Sequence, residues 1–495
     1  MYEKYLAYSR QIEDLRGIQS LVSWDQEVMM PKDGARFRSQ QISTLAGILH
    51  EKRIDPAFGD LLQQLSQMNG ELTWEQKKNI ELSLSDYQKA VKFPTEFIQR
   101  YARLRSEAFQ AWMKSREENN FKTFAPSLEN LLELVKEQAE ILGYEDHPYD
   151  ALIDSYDPGT KTKKLEAVFS QVRERLVPFY QAVLEKPKPD NSFMYRKFDE
   201  DKQWQFGIDI LKQMGYDFNK GRQDKAPHPF STHFNPDDVR VTTRVSENNF
   251  LDMTWSTIHE GGHALYELGM LEENYGIPAG SASGLSIHES QSRMWENNVG
   301  RSLAFWKANY KDLQSRFPDA LGDVSLDQFY KGINKVEPSL IRVDADELSY
   351  HLHILVRFEM EKALVEGSLA VADAEEAWNE KYKEYLLIDV PNPKQGVLQD
   401  IHWSHGSMGY FPTYSLGSFY AAQFFAKAEK EIPSLSSEIE TGNCSSLLSW
   451  LRENIHRHGR LYNAEELSQR ITGEGLNLDH FMAYAQKKFG EIYGI

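Results

Sequence analysis

The chain has a single cysteine, Cys444, among 495 residues. One thiol excludes an intramolecular disulfide and a cysteine-based zinc site, and it suits a reducing compartment. No run of 18 apolar residues occurs, so no segment reads as a transmembrane helix. The opening Met1-Tyr-Glu-Lys-Tyr-Leu6 lacks the basic-then-apolar order of a secretory signal. Positive charge is scarce: 56 Lys+Arg against 74 Asp+Glu leave a net charge of −18, which argues against nucleic acid or an anionic membrane as a partner. Gly/Ser linkers, low-complexity tracts and internal repeats are also lacking, so composition marks no domain boundary. A cytoplasmic enzyme built as one large unit is the expectation.

What is present is helical periodicity. Ile12, Leu15, Ile18 or Gln19, and Val22 predict the apolar face of a first helix. Leu128, Leu131, Leu132, Val135, Ala139 and Leu142 predict another, opened by Pro126 and stopped by Gly143. Leu165, Val168, Phe169, Val172 and Leu176 predict a third. One segment departs from the helical pattern. Asp238-Val-Arg-Val-Thr-Thr-Arg-Val245 alternates, with β-branched residues throughout, and reads either as a strand whose edge pairs with an extended peptide or as a hairpin that only covers the core.

Thr257-Ile-His259-Glu260-Gly-Gly-His263 carries the chemistry. On a helix, His259 and His263 lie one turn apart on the same face, where two imidazoles can share a metal ion with Glu260 alongside. Two histidines and one further ligand leave a position for a water that the ion acidifies, and a carboxylate at Glu260 is placed to take its proton. The third ligand must come from elsewhere. Past a Gly- and Pro-rich stretch, Ile287–Val299 reads as a second helix bearing His288 and Glu289; the spacing 289 − 263 = 26 and the absence of a third histidine at metzincin spacing favour Glu289, with His288 about a quarter-turn away.

With His259-Glu-Gly-Gly-His263 and His288-Glu-Ser-Gln-Ser292, four more segments stand in order: His228-Pro-Phe230, Asp238-Val-Arg240-Val-Thr242, Ile341-Arg342-Val-Asp-Ala345-Asp346-Glu347, and Gly396-Val-Leu-Gln399-Asp400-Ile-His402-Trp403. Together they resemble the M32 family of metallocarboxypeptidases over most of the chain. The resemblance implies release of single residues from peptide C-termini and a divalent metal. It also implies a mostly α fold with a deep central groove, a small β-sheet near the active site, and a homodimer. It suggests a single domain over 1–495, with helices 1–120 as a lid-like subdomain on a catalytic body, 121–495. Zinc is the default for a His, His, Glu set; cobalt or manganese accept the same ligands.

A carboxypeptidase must hold a free α-carboxylate, for which a guanidinium is the best partner. Arg342 is the first candidate and Arg240 the second, against the simpler reading of ion pairs with Asp344, Asp346 or Asp238. Donors for the oxygen of the reacting carbonyl are sought in His402 and Tyr410, with Tyr414 in reserve. His228, His233, His288 and Gln291 complete the substrate-facing set, and Asp346 and Glu347 are candidates for orienting the metal-binding histidines. The competing classes are an oligopeptidase that cuts internally and a protein whose metal only staples helices.

Overall fold

In the computed structural model, which describes residues 1–68 and 70–495, helices carry nearly all regular structure and one three-stranded sheet interrupts them. The N-terminal third is α1 (Tyr2–Val28), α2 (Ala35–Arg53), α3 (Pro56–Ser66), α4 (Trp74–Val91) and α5 (Thr95–Glu118), followed by α6 (Ala125–Leu142) and the short α7 (Pro148–Ile153). Local sequence sets these boundaries. Asp55 caps α3 with Pro56 at its first turn, Thr73 and Gln76 close a capping box on α4, and α6 ends at Gly143 with φ 86°.

The predicted stripe of α6 is realised, with Leu128, Leu131, Leu132, Val135 and Ala139 buried. So is the third stripe, from Leu165 through Leu176, although a π-turn at Val172–Leu176 interrupts that helix. The first stripe is not. In α1 the buried positions are Tyr5, Ser9, Glu13, Gly17 and Trp24, whereas Ile18 is 49% exposed. Close backbone approach at Gly17 joins the burial of Tyr5 and Trp24 in setting the buried face: a Cβ on Gly17 would lie 2.5 Å from the Phe234 carbonyl oxygen of the sheet.

That sheet comprises β1 (Gln223–Lys225), β2 (Ser231–Asn235) and β3 (Asp238–Thr243) in the order β1-β3-β2, with β1 parallel and β2 antiparallel to β3. The expectation that 238–245 offers an edge is therefore corrected. β3 is the centre, and the edge on the α1 side is β2, stitched to β3 where Thr242 N–H donates to the Phe230 carbonyl and Phe230 N–H to Thr242 Oγ1, both at 2.8 Å. Thr243 bonds to Ser256 of the helix Phe250–Glu267, so the odd-numbered side chains of β3 face that helix and the even-numbered ones face α1.

A continuous apolar core runs from Ala108 to Tyr493. A second, small one joins Tyr5, Phe58, Leu62, Leu65 and Ile80 to Ile277, Ala279 and Leu461, which seats α1, α3 and α4 on two loops of the body.

The contact at Gly17 can be tested against a built-in control. A methyl there carries a steric cost of about 1–3 kcal/mol, which exceeds the ~1 kcal/mol that alanine gains over glycine in a helix. Gly17→Ala is expected to unfold at lower temperature than the parent protein. Gly47→Ala on α2, where the added methyl meets nothing within 4 Å, is expected to unfold at higher temperature.

Candidate metal centre and its surroundings

His259, Glu260 and His263 stand on the helix Phe250–Glu267, here called the metal helix, whose start is capped by the Asn249 side chain. Two glycines in the motif allow its neighbours close. A Cβ at Gly262 would lie 2.7 Å from Ser292 Cα on the helix Leu285–Arg293, and one at Gly261 would lie 2.7 Å from Leu211 on the helix Glu200–Met214. The helix Pro412–Glu431 approaches from another side, where a Cβ at Gly417 would meet Glu289 Cβ at 2.6 Å. Bare backbone at these points makes room for the Glu289 side chain.

The result is a convergence. Ligand atoms of His259, His263 and Glu289 all lie within 4.8 Å of one another, and Glu289 Oε2 is 3.4 Å from His263 Nε2 and 3.7 Å from His259 Nε2. Other atoms of these groups are held from behind. His259 Nδ1 meets Glu296 Oε2 at 2.9 Å, and Glu289 Oε1 accepts from Arg293 Nε at 2.6 Å. Arg293 and Arg301 both pair with Glu296. Burial opposes charge on Glu289 and Glu296, but Arg293 together with His259, with His263 beside Glu289 and Arg301 beside Glu296, holds both well below the usual carboxylate range. Burial lowers His263 to about 3, with His288 adding to the effect, so its imidazole is neutral. Two nitrogen donors and one ionised carboxylate oxygen, each oriented from behind or kept neutral, fit a divalent metal.

Glu260 is buried beside this cluster, and desolvation, with Glu289 close by, raises its pKa against a hydrogen bond from Ser231 of β2. His288 does not enter the cluster. Its ring stacks on His263 with centroids 4.4 Å apart while Nε2 meets Glu267 Oε1 at 2.8 Å. His233 of β2 reaches the same Glu267 at 3.4 Å. A cleft of about 430 Å³ between α1 and β2 is lined by Ser20, Trp24, Glu27, Phe230, Ser231 and Thr232.

Arg342 is 7% exposed, and its Nε and Nη2 bond Asp400 Oδ1 at 3.0 and 2.9 Å. Arg357, on the helix Ser349–Glu366, takes the other carboxylate oxygen at 2.7 Å, and the Gln399 side chain accepts from the Arg342 backbone N–H at 2.9 Å. Nη1 of Arg342 meets only the Tyr350 hydroxyl, at 3.4 Å, which leaves it donor capacity. Tyr350 also covers the Arg293 guanidinium, 4.4 Å from its ring, so a run of contacts leads from Glu289 through Arg293 and Tyr350 to Arg342. His402, Tyr410 and Tyr414 gather next to it: the His402 ring is 5.2 Å from Tyr410 and 6.4 Å from Tyr414, and the Tyr410 and Tyr414 rings are 5.3 Å apart.

Several expected residues lie elsewhere. Arg240 is clamped by Asp238 at 2.8 and 2.7 Å and lies over Trp24, on the sheet face away from the metal helix. Gln291 is fully buried and bonded to His456, because it sits on the side of its helix opposite the cleft. His228 is exposed on the turn between β1 and β2. Asp346 caps the helix Ser349–Glu366, and Glu347 pairs with the buried Lys488, so neither orients a histidine. Glu296 and Arg293 were missed although a signal existed: positions 289, 293 and 296 share one helical face. Asp400 lay inside a quoted motif, and Tyr350 carried no sequence signal.

The family model described as carboxypeptidase Taq (M32) metallopeptidase matches residues 4–489. The thermostable carboxypeptidase 1 of Thermus thermophilus is 40% identical, with 100% of this chain and 99% of that protein covered. Carboxypeptidase 1 of Bacillus subtilis is 37% identical, covering 96% and 95%. The crystal structure of the M32 carboxypeptidase from Deinococcus radiodurans superposes with a TM-score of 0.98 at 38% identity, covering 100% of this chain and 99% of that one.

Glu296 supplies the first test. Removing the acceptor behind His259 with Glu296→Ala is expected to weaken metal retention by about 10–100-fold, read by metal analysis after dialysis against graded chelator. Retention equal to the parent protein would separate Glu296 from the metal site.

Proposed function

This chain belongs to the carboxypeptidase Taq (M32) family and is a metal-dependent carboxypeptidase, and from that premise we propose that it releases single residues from peptide C-termini with Glu260 as the base. The observation that carries this reading is the convergence of His259, His263 and Glu289 with Glu260 buried beside them. His259, His263 and Glu289 would hold a divalent ion, with zinc expected and cobalt or manganese as substitutes, which would supply Lewis acidity at the scissile carbonyl and acidify water. Glu260 takes the proton from the attacking water and returns it to the leaving amine. Its raised pKa brings its basicity nearer to neutral pH, where a general base works best.

Charge builds on the carbonyl oxygen in the transition state, and donors that await it lower the barrier more than they bind substrate. Tyr410 and His402 take this role. Burial, together with Arg342 and Arg357, keeps the His402 imidazole near pKa 4 despite Asp400, so at neutral pH it donates as an uncharged ring. Arg342 receives the terminal carboxylate with the N–H groups that Asp400 leaves free, while Asp400 and Arg357 fix the plane of its guanidinium. The peptide upstream of the scissile bond extends along β2 in the cleft facing α1, where main-chain pairing gives affinity with little sequence preference.

Two substitutions separate chemistry from capture. Glu260→Gln is expected to keep its metal and lose about 10²–10⁴ in kcat; near-parental turnover would remove Glu260 from the base role. For Arg342→Ala the readout is a mass-spectrometric digest of one short peptide as free acid and as C-terminal amide. The parent enzyme should ladder the acid and spare the amide, and the variant should show KM for the acid raised roughly tenfold or more, consistent with a lost charge-assisted contact. Internal cuts on both forms by the parent enzyme would make it an oligopeptidase.

A further inference from the structure

The segment that bears His402 and Tyr410 is tied at both ends to one buried carboxylate, and we propose that Glu361 is a positioning residue for the reaction, holding those two donors at the carbonyl. Glu361 stands on the helix Ser349–Glu366 and is fully buried. Its Oε1 accepts from Trp403 Nε1–H at 2.9 Å; its Oε2 accepts from Gly409 N–H at 2.9 Å and from the Tyr149 hydroxyl of α7 at 2.7 Å. Trp403 is the residue after His402, and Gly409 is the residue before Tyr410. Each proposed donor is therefore one peptide unit from an atom that Glu361 holds.

No ion pair accounts for the Glu361 carboxylate at this place. Among the described residues it has no ion-pair partner: Arg357, one turn earlier on the same helix, is committed to Asp400. An isolated buried carboxylate is costly and persists where several donors satisfy it. The segment also lies hard against α7. Gly409 has φ 91°, and a Cβ there would sit 2.8 Å from the Ile153 nitrogen, so a shift toward α7 is blocked while Glu361 opposes a shift away. Glu361 touches neither metal ligand nor cleft, so its effect passes through Trp403 and Gly409. Misplacing a reacting group by about 1 Å can cost on the order of 10²-fold in rate.

The same geometry makes the tie sensitive to protonation. The titratable or charged groups facing Glu361 are Tyr149 and Tyr156 from α7 and the turn after it, and Arg357 from its own helix. Burial pushes Glu361 from 4.5 up to about 7, against the hydrogen bonds from Gly409, Tyr149 and Trp403. Protonated on Oε2, it donates to the Tyr149 hydroxyl, which turns to accept, and the same oxygen becomes a weaker acceptor for Gly409 N–H, so the tie slackens at Gly409. Turnover should therefore rise with pH through neutrality. Stability moves the opposite way: between 4.5 and about 7 the folded protein keeps a proton that the unfolded chain has lost, so this group makes the fold less stable as pH rises.

The inference rests on the assignment of His402 and Tyr410 to the reacting carbonyl, and the test separates the two. Metal-loaded full-length Glu361→Gln, Tyr410→Phe, His402→Ala and the double variant Glu361→Gln/Tyr410→Phe are compared on a short free-acid peptide. Glu361→Gln should retain its metal, lose about 10–100-fold in kcat with little change in KM, and lose the rise in kcat through neutral pH. The double variant should be slower than Tyr410→Phe only by the share of the effect that passes through His402, so the two losses multiply less than fully. Near-parental kcat in Glu361→Gln, or losses that multiply fully in the double variant, overturn the inference while leaving the donors in place. Full turnover in both Tyr410→Phe and His402→Ala overturns the donor assignment and the inference with it. Should Glu361→Gln fail to fold, Trp403→Phe decides: it removes one N–H from the tie, and a fall in kcat at constant KM supports the inference, whereas unchanged kcat overturns it.

Discussion

Arg293 is the side chain on which the centre depends. Glu289, Glu296 and Glu260 crowd one buried region, and carboxylates so placed repel one another and lose their hydration. The Arg293 guanidinium bonds Glu289 and Glu296 at once, which keeps Glu289 ionised, while its Oε2, steadied by the Ser292 hydroxyl at 3.1 Å, faces His259 and His263. Breaking a buried pair of this kind costs about 3–5 kcal/mol. Tyr350 covers the outer face of the same guanidinium and touches Arg342, so the charge balance of the metal site and the seat of the proposed carboxylate anchor share one side chain.

The motifs are mutual contacts as much as separate functions. Gln399 and Asp400 hold the backbone and side chain of Arg342, and Thr242 and Phe230 bind each other across β2 and β3. The glycines of the histidine motif, with Gly417, hold the neighbouring helices close enough for Glu289 to reach between the imidazoles. A second layer of carboxylates then fixes what the first layer presents: Glu296 behind His259, Glu267 behind His288, Asp400 behind Arg342 and Glu361 behind the His402–Tyr410 segment. Each of the four is bonded to side chains or backbone on other elements. Rigid support of this kind is what catalysis asks of a scaffold.

Helicity, the apolar faces of α6 and of the helix that begins at Thr162, and the pairing of His259 with His263 were legible in the chain because they depend on residues within a turn or two of one another. Preferring Glu289 to His288 rested on the 26-residue spacing from His263, the absence of a third histidine at metzincin spacing and the angular step between adjacent helical residues. The stripe Ile12, Leu15, Ile18 or Gln19, and Val22 is only half-buried, with Ile18 exposed, since the most buried face of α1 includes Gly17, where the helix closely approaches a strand more than two hundred residues away. The arginines show the same limit. Arg240 had its partner two residues away and took it, whereas Arg342 passed over the nearby Asp344 and Asp346 for Asp400.

By itself, then, the sequence determined the kind of chemistry: a helix with two imidazoles and a carboxylate on adjoining positions, a third ligand at a peptidase spacing, and no cysteine set to make the site a closed structural one. Only the tertiary structure decided that β2 rather than β3 is the strand beside the cleft, that Glu296 stands behind His259, and that Gln291 turns away toward His456. Periodicity states which side chains share a face. Which other face they meet depends on packing between distant segments, and here that packing is governed by a few glycines and buried charges whose partners lie far along the chain.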